Sequence, residues 1–424
     1  MYKAVVSRIQ TRPLPGADRL LIGACGQYQV IVGIDTQDGE LGVFFEQDGQ
    51  LSIEFATQND LVRRKDANGN AAGGMFEENR RIKAIKLRGA RSEGFWTPLS
   101  SFSYTGYDLS SLREGDQFDE LNGHRICGKY MTPATTRAMR NQFGIKARRE
   151  NRMFAKHIET GKFKMEQHLI PDDATITITE KLHGTSFRYG HVLDEQPIRR
   201  NPVWRWITRL LRMKQTTKVW KHLVGTRNVV LSDVTTDGFY GADAQFRRKS
   251  VDGLVLHKGE VVYGEIVGYT DTGTPIMPPQ STLALKDKAI TAKYGELMNY
   301  TYGCMPGQCK LYLYRITQVN EDGYSVELSW PQVKKRAREL GVSVVPELPI
   351  EPERELALVV QALTEDGTNP LPSLVDSRHI REGVVVRWDS EHGVGWLKNK
   401  GFTFGLLEGY LKERDDVVDL EESA

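Results

Sequence analysis

Residues Thr175-Ile176-Thr177-Ile178-Thr179 alternate threonine with isoleucine and run directly into Glu180-Lys181-Leu182-His183-Gly184-Thr185-Ser186. A period of two is the pattern of a half-buried β-strand. A lysine at such a strand end, followed by a glycine, can present its amine to a phosphate while the backbone approaches closely. Read alone, the same residues describe a solvated lysine before a loop. The constraint on the fold comes from the rest of the chain. Leu254–Leu256, Val261–Tyr263, Leu311–Tyr314 and Val384–Val386 read as further strands. Trp330-Pro331 opens a helix with proline in its first turn. Leu356, Val359, Val360 and Leu363 fall at i, i+3, i+4 and i+7 and give one apolar helix face. The expected class is α+β.

The N-terminal part has a different texture. Tyr28–Ile34 is rich in β-branched residues, and Leu41–Phe45 and Leu51–Phe55 flank Asp48-Gly49, a hairpin signal. Many short strands in the first 125 or so residues suggest a small barrel or sandwich. Arg80-Arg81-Ile82-Lys83-Ala84-Ile85-Lys86-Leu87-Arg88-Gly89 mixes apolar and basic residues along one expected strand. It reads equally as a solvated sheet face or as a nucleic-acid groove. Residues 130–165 carry Arg137, Arg140, Lys146, Arg148, Arg149 and Arg152 with little apolar periodicity, as an exposed connection would. From Gln196 to Ser232 no acidic residue occurs, while Arg205, Arg209 and Arg212 alternate with Trp204, Ile207, Leu211 and Trp220. That stretch is expected to be a helical insertion with a basic face toward a nucleic-acid backbone, the alternatives being a solvated face or a membrane-surface helix.

Composition narrows the classes. The chain has 424 residues, 39% hydrophobic and 26% charged, which excludes a wholly disordered or collagen-like chain and leaves length for two or three domains. The formal charge of +2 gives no global signal for nucleic acid, so any basic surface is local. No apolar run reaches the length of a membrane span, and the first residues lack the apolar core of a secretory signal. Four scattered cysteines do not make a disulfide framework. A cytoplasmic protein is the expectation.

Five further segments stand after the Lys181 motif. They are Gly225-Thr226-Arg227-Asn228, Val262-Tyr263-Gly264-Glu265-Ile266, Lys310-Leu311-Tyr312-Leu313-Tyr314-Arg315, Arg381-Glu382-Gly383-Val384 and Trp396-Leu397-Lys398-Asn399-Lys400. Each has an ordinary structural explanation: a hairpin-edge carboxylate, a core tyrosine, a wet strand face. In this order they resemble the covalent nucleotidyltransferase superfamily of ATP-dependent ligases and capping enzymes. Glu-Lys-Leu-His-Gly-Thr-Ser is similar to the RNA ligase 2-type enzymes in particular, and the strand-rich segment before it resembles the OB domain of the Naegleria-type RNA ligases. DNA ligases and capping enzymes usually carry an OB domain after the last motif, and only 24 residues follow Lys400 here. The superfamily usually has aspartate two residues after the lysine, where this chain has His183.

The resemblance implies an N-terminal OB-like β-barrel at 1–130, a basic linker at 131–165 and an antiparallel-sheet nucleotidyltransferase domain, ATP-grasp-like, at 166–424. It implies ATP and Mg²⁺ or Mn²⁺ as cofactors. The substrate would be RNA with 3′-hydroxyl and 5′-phosphate ends, in a nicked duplex or another context, with no membrane and no obligate protein partner. Lys181 would carry AMP. Lys398 and Lys400 would offset phosphate charge and favour the neutral lysine needed for attack. Glu382, with Glu265, would hold the metal through oxygen. Glu180, His183, Gly184, Arg227, Glu265 and Tyr314 would surround the nucleotide, with Tyr314 stacking on adenine. Arg81, Lys83, Arg205, Arg209 and Arg212 would contact RNA. The rival readings are a DNA-end or capping-type nucleotidyltransferase and a non-catalytic RNA-binding protein with a relic transferase domain.

Overall fold

The computed structural model describes residues 2–65, 69, 71–142, 151–198, 216–231, 245–350, 354–366 and 369–413. It is a mixed α/β fold with mainly antiparallel sheets. Arg205, Arg209, Arg212 and the acidic stretch near the C-terminus lie outside the described residues.

Two sheets carry the C-terminal region. One orders the strands Gly161–Lys162, Gly393–Lys400, Gly383–Ser390, Thr175–Lys181 and Glu347–Leu348. The other orders Thr216–Gly225, Thr185–Pro197, Glu260–Gly268, Cys309–Val319 and Ser325–Glu327, with Ser343–Val344 pairing parallel to Cys309–Val319. The alternating threonine–isoleucine strand thus belongs to the first sheet, and the strand after it belongs to the second. The chain crosses between them at Leu182–Gly184. Glu260–Gly268 is buried along nearly its whole length, as a central strand covered on both faces is, and Glu265 is its one partly exposed residue. Phe187, Val262, Ile266 and Leu313 form a core with Trp330 and Val333 of the helix Trp330–Leu340. That helix begins as its sequence predicts, with Ser329 and Gln332 making a capping box and proline in the first turn.

The N-terminal region has a four-stranded sheet, Gly94–Pro98, Leu41–Glu46, Ala4–Arg8 and Gln117–Phe118, beside a three-stranded one, Gln10–Pro13, Leu20–Cys25 and Tyr28–Gly33. Among the described residues these ladders do not close into a barrel. Phe45, Phe55 and Phe102 are fully buried in its core. The expected Asp48-Gly49 hairpin is not formed. Asp48 turns the chain at φ 69°, and Gly49–Leu51 pairs with Cys127–Lys129 instead of with Leu41–Glu46. The expected Leu51–Phe55 strand becomes the helix Ile53–Gln58, because Ser52 Oγ accepts the Phe55 N–H at 3.0 Å and starts a helix.

Other expectations fail for comparable reasons. Leu254–Leu256 is irregular rather than a strand. Trp220 lies on the strand Thr216–Gly225, opposite Leu193, and not on a helix. The stretch 130–165 is more than a connection. It holds the helix Pro133–Gln142 and buries Phe154 and Phe163. The Phe154 carbonyl accepts from Arg188 at 2.8 Å and the Ala155 carbonyl from the Tyr263 hydroxyl at 3.0 Å.

The Arg80–Gly89 run is not one strand either. Only Ile85–Leu87 is extended, and Arg80 takes φ 52°. Arg81 is 3% exposed and donates to the Gly409 carbonyl at 2.9 Å. Lys83 pairs with Glu77 at 3.0 Å and with Glu413 at 2.6 Å. These two basic residues therefore hold the N-terminal region against the helix Phe402–Leu411 and the residues just after it. Arg91 to Glu365 at 2.7 Å, Lys164 to Glu93 and Lys162 to Glu46 are further ion pairs across the same boundary.

Candidate active site

Lys181 ends its strand opposite Gly383, and the next three residues cross to the second sheet. Two glycines permit close approaches here, Gly184 at the crossing and Gly383 between two strands of the first sheet. A Cβ at Gly184 would stand 2.4 Å from the Ile266 carbonyl and 2.9 Å from Glu265 Cγ. A Cβ at Gly383 would stand 2.1 Å from the Asn399 carbonyl. Only glycine lets the backbones approach so closely. The result brings the lysine strand, the Glu265 strand, the Glu382 strand start and the Lys398–Lys400 strand end to one place.

At its centre is Glu382, which is 0% exposed. Lys181 Nζ lies 2.6 Å from Glu382 Oε1, Lys400 Nζ lies 3.2 Å from the same oxygen, and His183 Nδ1 lies 3.5 Å from Oε2. An ionised carboxylate is tolerated in the interior only when cations or hydrogen bonds replace its water, and two ammonium groups do so here. Lys398 and Lys400 alternate onto one face of Gly393–Lys400, as residues two apart on a strand must. His183 packs edge-on against Tyr300 and Phe404, with ring centroids at 4.7 and 5.0 Å. Its backbone N–H donates to the buried Tyr302 hydroxyl at 2.6 Å.

A cleft opens beside this cluster. Lys181, Glu180, Arg227, Glu265, Tyr314 and Lys398 line it together with His157, Arg315, Trp330, Arg387 and Trp396. Glu180 is 1% exposed; its Oε2 accepts the Leu374 N–H at 2.8 Å, while Oε1 is buried without a hydrogen-bond partner. Burial raises this carboxyl above the ordinary carboxylate range. The Tyr314 hydroxyl meets His157 Nδ1 at 2.8 Å, and burial with the Glu265 charge nearby raises that phenol well above its usual value. Burial and the guanidinium groups of Arg188, Arg315 and Arg227 push the His157 imidazole down to about 3. Arg247 is 0% exposed and donates to Thr185 Oγ1 at 2.8 Å. Burial lowers it to about 9, against the opposing effect of Glu265.

The structure therefore brings Lys181, Glu180, Arg227, Glu265, Tyr314 and Lys398 to one cleft, with Glu382, Lys400, His183 and Gly184 clustered beside it around Lys181. It does not bring Arg81 or Lys83 there. Arg81 is buried at the regional boundary, which removes it from any solvent-facing phosphate track, and Lys83 is held by two carboxylates. Sequence reading missed His157, Trp396, Arg247, Arg315 and Arg387. His157 lies in the stretch that reads as a linker. Arg315 immediately follows Tyr314 and Arg387 sits on the strand after Glu382, so their proximity to named motifs was the available signal. Arg387 lies over the Trp330 and Trp396 rings at 5.5 and 5.9 Å, and Arg315 over Trp396 at 5.3 Å. They build a cationic and aromatic wall.

This architecture and cluster define a nucleotidyltransferase-type site. The family model described as RNA ligase matches residues 174–400, more than half of the chain, and the chain belongs to that family. Among solved structures it is similar to Naegleria gruberi RNA ligase. An apo mutant form gives a TM-score of 0.59 at 17% identity over 97% of this chain and 98% of that one. A mutant form with ATP and Mn gives 0.57 at 17% identity over 98% and 99%. The form with pyrophosphate gives 0.57 at 18% identity over 98% and 99%. Curated protein sequences give no match. No helix among the described residues is long and apolar enough to cross a membrane.

Proposed function

We propose that the protein is an ATP-dependent RNA ligase that joins 3′-hydroxyl and 5′-phosphate ends through a lysyl-AMP on Lys181. The observation that carries this reading is the convergence of Lys181, which lines the cleft, and Lys400 on one fully buried carboxylate. A lone surface lysine has no such surroundings.

In this reading the Lys181 amine attacks the α-phosphorus of ATP, a P–N bond forms, and pyrophosphate leaves. A 5′-phosphate oxygen of RNA then displaces the lysine and takes the AMP. A 3′-hydroxyl attacks that activated phosphate, and AMP leaves. Attack requires the uncharged amine, and Lys400 competes with Lys181 for the same anionic oxygen. Lys398 and Lys400 offset charge that develops on the phosphoryl oxygens. Glu180 suits adenine: its buried Oε1 can accept from an exocyclic amine, which guanine lacks at that ring position. Tyr314, Trp396 and Trp330 offer apolar surface to the base, and Arg227 a donor to the sugar or phosphates.

The residues fit a divalent cation. Among the described residues no three His, Cys, Asp or Glu side chains form a cage. Glu265 on the cleft wall and Glu382 behind Lys181 would supply the one or two hard oxygen donors that Mg²⁺ or Mn²⁺ takes from a protein. When bound, such an ion supplies charge neutralisation at the phosphates.

Residues 2–130 are assigned to RNA as an OB-like module, through exposed Lys86 and Arg88 rather than Arg81. Residues 131–165 join the two regions, with Phe154 and Ala155 bonded to Arg188 and Tyr263 of the nucleotidyltransferase region, which is assigned to 166–424. The test is incubation of the full chain with labelled ATP and a divalent metal, followed by peptide mass spectrometry. AMP on Lys181 is expected, with GTP failing to compete. AMP on another lysine, or none with intact protein, overturns the reading.

A further inference from the structure

The helix Phe402–Leu411 lies after the last motif, and the ligation chemistry gives it no part. Its residues are nevertheless arranged along two adjacent faces with a period of four, the spacing at which helix side chains stack above one another.

One face points to the site. Phe404 packs on His183, and Lys400 Nζ lies 5.4 Å from the centre of the Phe404 ring. Four residues on, Glu408 Oε2 lies 3.2 Å from Lys400 Nζ. Four further, at the helix C-cap, Lys412 Nζ lies 3.0 Å from Glu408 Oε1 and 3.4 Å from Asp48 Oδ1 of the N-terminal region. Glu408 and Lys412 are 7% and 8% exposed. The other face points to the N-terminal region. A Cβ at Gly405 would stand 2.9 Å from the Gln47 side-chain amide, and the Gly409 carbonyl accepts from Arg81. Glycine inside a helix costs about 1 kcal/mol relative to alanine, a cost that this close approach explains.

Asp48 is itself fixed. It sits in the left-handed region at φ 69°, its N–H donates to the Ile82 carbonyl at 3.1 Å, and its carbonyl accepts from Tyr130 at 2.9 Å. Its carboxylate stands between Lys412 and Arg81, the latter at 3.5 Å. Alternating charges thus run without a gap from Lys181 through Glu382, Lys400, Glu408 and Lys412 to Asp48.

We propose that Glu408 is a positioning residue for Lys400, and that the N-terminal region sets its position through Asp48 and Lys412. The proposal rests on Lys181 as the site of AMP attachment. Lys400 meets two carboxylates, Glu382 of the lysine cluster and Glu408 of the helix, each at 3.2 Å. Without Glu408 the ammonium loses the carboxylate that draws it toward the helix, while Glu382 offers it an oxygen that Lys181 shares. The N-terminal region is then part of the nucleotide chemistry as well as of RNA binding.

The test measures lysyl-AMP formation by the full chain under single-turnover conditions across ATP concentrations. Glu408→Gln is expected to lower the rate at saturating ATP about tenfold or more, with KM for ATP nearly unchanged, since the loss is of charge placement and not of ATP contacts. Asp48→Asn is expected to lower it about two- to fivefold, and the double variant to be no slower than Glu408→Gln, because residues acting as one unit are non-additive. Glu413→Gln, which removes a neighbouring boundary contact, is expected to leave the rate unchanged. Equal rates for Glu408→Gln and the parent chain, or losses that multiply in the double variant, overturn the proposal. If Glu408→Gln does not fold, Asp48→Asn on its solvent-touching turn decides alone, and no loss there overturns it. Failure of the parent chain to place AMP on Lys181 breaks the functional reading instead, and is seen separately.

Discussion

Two basic segments of this protein have opposite fates. Arg80–Arg91 in the N-terminal region commits three of its charges to docking, with Arg81 on Gly409 and Asp48, Lys83 on Glu77 and Glu413, and Arg91 on Glu365. Trp396–Lys400 turns Lys398 into the cleft and Lys400 onto Glu382. The residue types are alike and the backbones partly alike. What separates them is the carboxylates that the fold brings opposite. In the first segment those belong to surfaces that close on one another. In the second the Glu382 carboxylate lies beside an open cleft that Lys181 and Lys398 line.

The sharpest way to break this comparison is at the nucleophile. Lys181→Ala should abolish self-adenylation while leaving measurable sealing of pre-adenylated RNA; mass spectrometry and a sealing assay report the two steps separately. Retained adenylation would move the reactive lysine to the other segment or elsewhere.

Next in size is Glu382→Gln. It keeps the shape and removes the anion that Lys181 and Lys400 share, so adenylation should slow by about 10² or more, the scale of losing a key electrostatic group. The variant should also be less stable, because it leaves two cations partly buried without their common partner. Near-normal adenylation at saturating metal would reduce Glu382 to a structural residue.

The docking segment is expected to answer through stability. Arg81→Met loses a buried hydrogen bond and leaves the Gly409 carbonyl without its donor, a change worth about 1–3 kcal/mol. Denaturant unfolding should show that loss, while the salt dependence of RNA binding stays that of the parent chain. Lys86→Met, on an exposed residue, should do the reverse. A flattened salt slope for Arg81→Met would return that arginine to the RNA surface.

The smallest effect concerns His157. Its folded pKa of about 3 lies below the ordinary 6.5, so between those values the unfolded chain binds the proton and the folded one does not. Stability should therefore fall as pH falls through this window, by somewhat less than about 1 kcal/mol from pH 7 to 6. His157→Gln should flatten that part of the profile, and an unchanged slope would show that the imidazole is solvated in the fold.

Much of the C-terminal region was legible in the sequence because its signals are local. The Thr175–Thr179 alternation, the proline after Ser329 and the apolar face of Leu356–Leu363 each specify an element without reference to distant residues. The resemblance of the ordered motifs to the covalent nucleotidyltransferases, and not a local signal, is what set Lys181, Glu382, Lys398 and Lys400 in one expected site. The failures were of pairing and of partner. Asp48-Gly49 has the composition of a hairpin, yet a cap at Ser52 and the distant strand Cys127–Lys129 redirected the chain.

By itself, then, the sequence determined the strand that delivers Lys181, the glycines that permit close approaches around it, and the alternation that puts Lys398 and Lys400 on one face. These come from backbone periodicity and from the absence of a side chain at Gly184 and Gly383. Only the tertiary structure decided that Arg81 is buried, that His157 reaches the cleft from an apparent linker, and that Glu408 and Asp48 continue the charges of the site into the N-terminal region. A charged side chain's role is set by the opposite charge that it meets. Here those partners lie far along the chain, Arg81 from Gly409 and Asp48 from Lys412, at separations that no local pattern encodes.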